Sequence, residues 1–375
     1  MFVNSYVKNL IPYKVVTHKA WEGKNDILKL DWNEATIPPS PKVFEAINRF
    51  LNEGSLNWYP DLDNSELLNK LATYVGLGVK NIQHFASSDS IQEYIVRTFV
   101  TCGDEVTIIM PTYDNFRVIV EGSGAVINSY YLEKDFSFNK EHFTEHLNLY
   151  KPKVVYICNP NNPTGTSYDS DVIEFFVKKF PNILFLVDEA YYEFSGRTSK
   201  DLVVNNDNII ITRTFSKAFA LAGLRIGYVI TSEKNIKIFS KLRNPKSVSS
   251  LAQVAVIGAL DDVAYTIDYV NTVELAKKQF ISDIKSLNSN KIKILFGDGN
   301  FVLCELCESV KYRLIKYLEE NNVYIRDYSH LRGMEKHIRI TIGTQIQMKK
   351  VFSVISLFIS EIKNEKQDAH GFNLI

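Results

Sequence analysis

The sequence predicts an α/β fold with a mostly parallel sheet covered by helices on both faces, followed by a smaller α+β region. Three observations carry that expectation. Apolar runs recur at Glu105 to Met110, Val154 to Cys158, Ile183 to Val187 and Asn208 to Ile211, and they continue rather than alternate. Continuous apolar strands are buried on both faces, the mark of a parallel sheet between helices. Segments with helical spacing lie between these runs. Three of the runs are followed by a polar residue that stands out, Asn162, Asp188 and Lys217 in turn. Ligand sites in such sheets collect outside the carboxyl ends of the strands.

The elements follow in order. Residues 1–30, with Pro12, Tyr13 and Trp21, read as an extended arm with too little apolar periodicity to fold alone. Ser40 before Pro41 is a helix start, and Val43, Phe44, Ile47 and Phe50 continue at helical spacing. Trp58 and Tyr59 fall in a loop, and Leu67 to Tyr74 predict a helix ending near Gly76. Ser87, Ser88 and Asp89 open another helix, on which Glu93 and Arg97 are spaced to pair. The free N–H groups of that helix start suit a phosphate, although an ordinary N-cap has the same residues. A strand is expected around Gly124 to Tyr131, and one or two long helices over 250–290. Strands broken by Gly297 to Asn300, a helix over Tyr312 to Leu318 and strands at YIRDY and HIRITIG complete the small region. Cys304 and Cys307 read as packing residues on opposite faces of a strand, and the polar end after Ser360 reads as a frayed tail.

Composition narrows the function. The 375 residues are 45% hydrophobic, and 43 basic residues balance 43 acidic ones. A neutral balance points to neither nucleic acid nor an anionic membrane as partner. Four cysteines do not make a disulfide framework, which fits a reducing, cytoplasmic setting. No apolar run reaches the length of a membrane span, and the seven histidines form no metal-binding motif.

The strand-end residues define a chemistry. Lys217 follows hydroxyls at Thr214 and Ser216 and precedes Arg225, which places a reactive amine beside an anion cup. Asp188 adds a carboxylate, Tyr191 a phenol and Asn162 an amide. Pyridoxal 5'-phosphate asks for each of these. Its aldehyde needs a lysine, its ring nitrogen a carboxylate, its O3′ donors, and its phosphate hydroxyls, a helix start and an arginine. Neither the dinucleotide fingerprint nor the nucleotide P-loop occurs in the chain.

With those residues in view, the chain resembles the fold-type I pyridoxal-phosphate aminotransferases, nearest to their histidinol-phosphate aminotransferase branch. The resemblance rests on NLIPY (9–13), WNE (32–34), NWYP (57–60), SSDS (87–90), PTYDNF (111–116), NPNNPTG (159–165), DEAY (188–191), RTFSKAFALAGLRIGY (213–228), IRD (325–327) and IRITIGT (338–344). It implies a seven-stranded, mostly parallel sheet in three αβα layers and a small α+β domain. The expected division is an arm and part of the small domain at 1–44, a large domain at 45–245, the rest of the small domain at 246–360 and a polar tail at 361–375. It makes Lys217 the amine that joins the cofactor and moves the proton, Asp188 the partner of the ring nitrogen, and Asn162 and Tyr191 donors to O3′. It lays Tyr113 on the ring face, and gives the phosphate to Ser88, Asp89, Thr214, Ser216 and Arg225. Tyr59 would reach that phosphate from a partner subunit, which implies a homodimer with shared sites. Tyr13, Asn33, Arg326 and Arg339 fall on the substrate side.

The departures bear on the substrate. Ser87-Ser88-Asp89-Ser90 lacks the family's glycine and glutamate, Asn33-Glu34-Ala35-Thr36 lacks its proline, and residues 244–250 read NPKSVSS. These differences leave room for an acceptor smaller than one bearing an imidazole. The resemblance implies transfer of an amine, by family habit from glutamate, to a small phosphorylated carbonyl compound. Decarboxylation of a phosphorylated amino acid is the alternative on the same residues, and a non-catalytic binding protein is the alternative of another class.

Overall fold

The computed structural model describes residues 2–13, 27–295 and 297–371, with side chains through Ile362. Among them lie twelve strands: β1 (Leu28–Leu30), β2 (Ile82–Phe85), β3 (Glu105–Met110), β4 (Val126–Tyr131), β5 (Val154–Cys158), β6 (Leu184–Asp188), β7 (Ile209–Thr214), β8 (Gly227–Thr231), β9 (Ile292–Leu295), β10 (Phe301–Leu306), β11 (Val323–Asp327) and β12 (His337–Thr341). The larger sheet has seven strands in the order β2-β8-β7-β6-β5-β3-β4. The pairs from β4 through β7 are parallel, while β8 runs antiparallel to both neighbours. The smaller sheet has the order β1-β11-β12-β10-β9.

The continuous apolar runs do what the sequence predicts, because successive side chains leave opposite faces of the sheet. In β5, Val155 and Ile157 enter one core while Val154, Tyr156 and Cys158 enter the other. In β7, Ile209 and Ile211 divide from Ile210 in the same way. A third core, built on Cys304, Ile338, Ile340 and Leu314, lies under the smaller sheet. The helix starts follow their caps: Ser40 accepts from Lys42 N at 3.1 Å, and Ser87 from Ser90 N at 3.3 Å. The helix Ser65–Val75 ends where Gly76 takes a φ of 75°, in the left-handed region.

Several expectations need correction. The N-terminal arm, expected to be extended, carries a short helix, Ser5–Lys8. Its β1 pairs in parallel with β11 of the smaller sheet. Three strand residues have no stability of their own, so β1 exists through that partner. Trp21 lies outside the described residues. Arg97 lies over the Tyr94 ring at 5.5 Å, and no ion pair with Glu93 forms among the described residues. Cys307 stands beyond β10 as the cap residue of the helix Glu308–Glu320, so only Cys304 belongs to the strand. The last helix, Gln345–Gly371, runs well past Ser360. No single helix among the described residues is long and apolar enough to cross a membrane.

One close approach positions the site. A Cβ on Gly227 would stand 2.6 Å from Arg213 O and 2.9 Å from Ser88 N, with backbone on both sides. Only glycine lets the start of the helix Ser88–Phe99 rest on β8. Gly227→Ala should therefore cost about 1–3 kcal/mol, as overpacking does. Urea denaturation should show it, while Gly223→Ala, where the same atom meets nothing within 4 Å, should leave the midpoint in place.

Candidate active site

The parallel strands end together, and their ends form one wall of a cavity of about 430 Å³. Lys217, Asp188, Asn162, Tyr191, Tyr113, Ser88, Asp89, Thr214, Ser216 and Arg225 all line it. Tyr13, Arg326 and Arg339 complete the opposite side. Asn33 is buried one layer back and donates from Nδ2 to the Tyr191 hydroxyl at 3.0 Å. Tyr59 is the exception. It is 76% exposed, lies outside the cavity, and has Lys246 Nζ 4.2 Å from its ring centre.

Asp188 ends β6 with its carboxylate buried. It accepts from Tyr156 Oη at 2.9 Å, Thr212 Oγ1 at 3.0 Å and Gln92 Nε2 at 3.1 Å. All three donors are neutral. Burial pushes its carboxyl up to about 6, against the lowering pull of Tyr156 and Thr212. Sequence reasoning missed these three residues. Thr212 stands beside Asp188 only because β6 and β7 pair Asp188 with Thr212, and register is not a local property. The available signal was a polar tip inside an apolar pattern, which Tyr156 and Gln92 both show.

Lys217 donates from Nζ to the backbone oxygen of Trp32 at 2.8 Å and has no carboxylate as hydrogen-bond partner among the described residues. Burial, then the nearby Arg339, lower its ammonium from the ordinary lysine range to about 8. The result is an amine whose neutral fraction near physiological pH far exceeds an ordinary lysine's, which favours a nucleophilic role.

Beside Lys217 the cavity is lined by hydroxyls, a helix start and Arg225. Thr214 Oγ1 donates to Ser216 Oγ at 2.9 Å and accepts from Ser216 N at 3.1 Å. Ser88 stands in the first turn of its helix, where N–H groups have no intrahelical acceptor. Arg225 bonds Asp89 Oδ2 at 3.0 Å, and Tyr113 donates to Asp89 Oδ1 at 3.1 Å. Tyr13 meets the Tyr113 ring edge-on at 5.8 Å.

The two arginines come from neighbouring strands, where Arg326 on β11 is paired with Arg339 on β12. Arg339 Nη1 donates to Asn162 Oδ1 at 2.5 Å and to the Tyr328 hydroxyl at 2.8 Å, and Nη2 donates to Asp31 O. Its Nε is buried without a partner among the described residues. Arg326 lies 5.9 Å from the Tyr13 ring centre. Asp327, the sequence neighbour that an internal pair with Arg326 would use, is held instead by Lys311 at 2.6 Å and by Ser329.

Comparison with known proteins decides the family. The model of aminotransferase class I and II matches residues 25–355. The chain belongs to this family. Within the aminotransferases it falls in the histidinol-phosphate aminotransferase-like branch. It is 32% identical to the histidinol-phosphate aminotransferase of Caldanaerobacter subterraneus subsp. tengcongensis, over 90% of this chain and 95% of the relative. It is 43% identical to a dihydroxyacetone phosphate transaminase of Campylobacter jejuni, over 100% of both chains. Its fold superposes on the histidinol-phosphate aminotransferase of Sinorhizobium meliloti, solved with pyridoxal-5'-phosphate, with a TM-score of 0.86 at 24% identity, covering 96% of this chain and 98% of the other. L-threonine-O-3-phosphate decarboxylase of Porphyromonas gingivalis shares the fold with a TM-score of 0.77 at 22% identity, covering 89% and 100%.

The lowered Lys217 amine gives a direct check. The rate at which an amine-reactive reagent labels Lys217 in the protein alone, read by peptide mass spectrometry, should rise with a midpoint near pH 8. A midpoint in the ordinary lysine range would contradict the buried, arginine-flanked setting.

Proposed function

We propose that this aminotransferase uses pyridoxal 5'-phosphate to move an amine from glutamate to a short phosphorylated ketone such as dihydroxyacetone phosphate. The observation that carries the reading is one cavity lined by Lys217 and by two arginines, Arg326 and Arg339. The donor set fits the cofactor. Asp188 is a buried carboxylate with only neutral donors around it, suited to a protonated ring nitrogen. Asn162 has its Oδ1 engaged and no acceptor for Nδ2 among the described residues. Ser88, Thr214, Ser216 and Arg225 suit the phosphate.

Bound there, the cofactor supplies an aldehyde for the donor's amine and a cationic ring that takes up an electron pair. The chain's residues do the rest. Lys217 holds and moves the proton at the reacting carbon. Asp188 keeps the ring nitrogen protonated, and Tyr191 and Asn162 donate toward O3′. Tyr113 covers the ring. Arg339 takes the donor's carboxylate with its planar fork, and Arg326 with Tyr13 takes the acceptor's phosphate. The 43% relative supports the short acceptor, as do the changes at Ala35–Thr36 and in residues 244–250. We also assign Tyr59 to a partner subunit's site, which its 76% exposure permits and which needs a homodimer. The division of the chain near residues 44, 245 and 360 is part of the same reading.

The test follows the visible band of the cofactor-loaded enzyme. Glutamate should bleach it, and dihydroxyacetone phosphate should restore it far better than dihydroxyacetone. Arg326→Met should lower kcat/KM for the phosphorylated acceptor by about 10- to 100-fold, the scale of one or two hydrogen bonds to a charged group. Equal response to both acceptors, or carbon dioxide release from a phosphorylated amino acid without bleaching by glutamate, would overturn the reading.

A further inference from the structure

Tyr328 was not singled out by sequence, yet it stands at the centre of the substrate wall. It follows β11 directly and is buried. Leu303, Leu331 and Met334 pack with it, and the His330 ring stacks on it at 5.9 Å. Its chain neighbour Asp327 is tied to Lys311 and Ser329. The ring is therefore held on all of these sides.

The hydroxyl has a defined direction. An arginine only donates, so Tyr328 Oη accepts from Arg339 Nη1 at 2.8 Å. Its own proton then goes to Asn162 Oδ1 at 3.1 Å. The same Oδ1 accepts from Arg339 Nη1 at 2.5 Å. Facing an obligate donor, that amide atom must be the oxygen, which turns Nδ2 away from the triangle. The three groups close a ring of hydrogen bonds between the two sheets, since Asn162 follows β5 while Tyr328 follows β11 and Arg339 lies on β12 of the smaller sheet.

The aromatic ring has a second role. Arg326 and Arg339 are direct cross-strand partners, and like charges placed opposite each other repel. The Tyr328 ring centre lies 6.0 Å from the Arg326 guanidinium and 5.5 Å from that of Arg339. At those distances a ring attracts both cations. The one ring is thus in reach of both guanidiniums.

We propose that Tyr328 is a positioning residue of this site: its hydroxyl locks Asn162 to Arg339, and its ring spaces Arg326 from Arg339 and so limits the size of acceptor. The inference rests on the reading of the cavity as an aminotransferase site for a short phosphorylated ketone. Two consequences separate it from simple packing. Without the hydroxyl, Arg339 loses an acceptor and Asn162 a donor, so donor binding and the cofactor's surroundings change together. Without the ring, the wall opens between the arginines, and bulkier acceptors gain on short ones.

The experiment uses the cofactor-loaded full chain with Tyr328→Phe and Tyr328→Ala. Tyr328→Phe should raise the glutamate KM by about tenfold, the scale of one hydrogen bond to a charged group. It should also move the pH midpoint of the visible band upward by about one unit, because a loosened Asn162 donates less well to O3′. Tyr328→Ala should shift the kcat/KM ratio of a phenyl-bearing phosphorylated ketone to dihydroxyacetone phosphate by at least about tenfold toward the bulky one. If Tyr328→Ala does not hold the cofactor, Tyr328→Leu serves for the size comparison. An unchanged glutamate KM and band midpoint in Tyr328→Phe, or an equal loss for both acceptors in the small variant, would overturn the proposal. Failure of the wild-type enzyme to aminate any phosphorylated ketone would sink the acceptor reading instead, and the band midpoint would still decide the lock.

Discussion

The site depends on a carboxylate kept where the sheet would otherwise be apolar. Asp188 ends β6 between two cores, and its side chain accepts from the neutral donors Tyr156, Thr212 and Gln92. Burial raises its pKa to about 6, so the folded chain binds this proton more tightly than the unfolded one. The sign follows: this group takes stability away as pH rises from about 4 to about 6, and the cost stays constant above that range. A shift of about two units corresponds to roughly 3 kcal/mol. A fold that keeps such a carboxylate gains most from a ligand carrying positive charge, which would return the energy on binding. That is the physical reason the cavity suits a protonated pyridine ring.

The second dependence is on contact between the sheets. Arg339 of β12 reaches Asn162 beyond β5, and Asn33 connects Tyr191 with Thr341 of β12 through 3.0 Å bonds. Asn300 donates to the backbone oxygen of Asn33 at 3.0 Å. Lys217 and Arg339 both donate to backbone oxygens of the stretch Asp31–Trp32. This N-terminal stretch therefore fixes the lysine, the arginine and the phenol together. It explains why a segment with almost no secondary structure matters to a site built at the strand ends.

Much of this was legible in the chain because some signals are local. A polar residue at or just past the end of an apolar run marks a strand end, and Asp188, Asn162 and Lys217 stand there. What lay hidden depends on register and on distant packing. Thr212 meets Asp188 through the β6–β7 pairing, and Arg326 faces Arg339 through β11–β12. Tyr328 reads as an ordinary tyrosine until Asn162, 166 residues away, is brought to its hydroxyl. Local spacing also misled, since Glu93 and Arg97 have helical pair geometry but Arg97 lies on Tyr94. Tyr59 lies outside the cavity of its own chain, and its place at a site comes from the family resemblance alone.

The central claim is that one amine, Lys217, carries the cofactor opposite Asp188. Borohydride reduction of the loaded protein, followed by peptide mapping, tests it most directly. The account predicts a single phosphopyridoxyl mass addition on the peptide containing Lys217, and none on that peptide in Lys217→Ala. An addition on a different lysine, or no stable addition after loading, would contradict it.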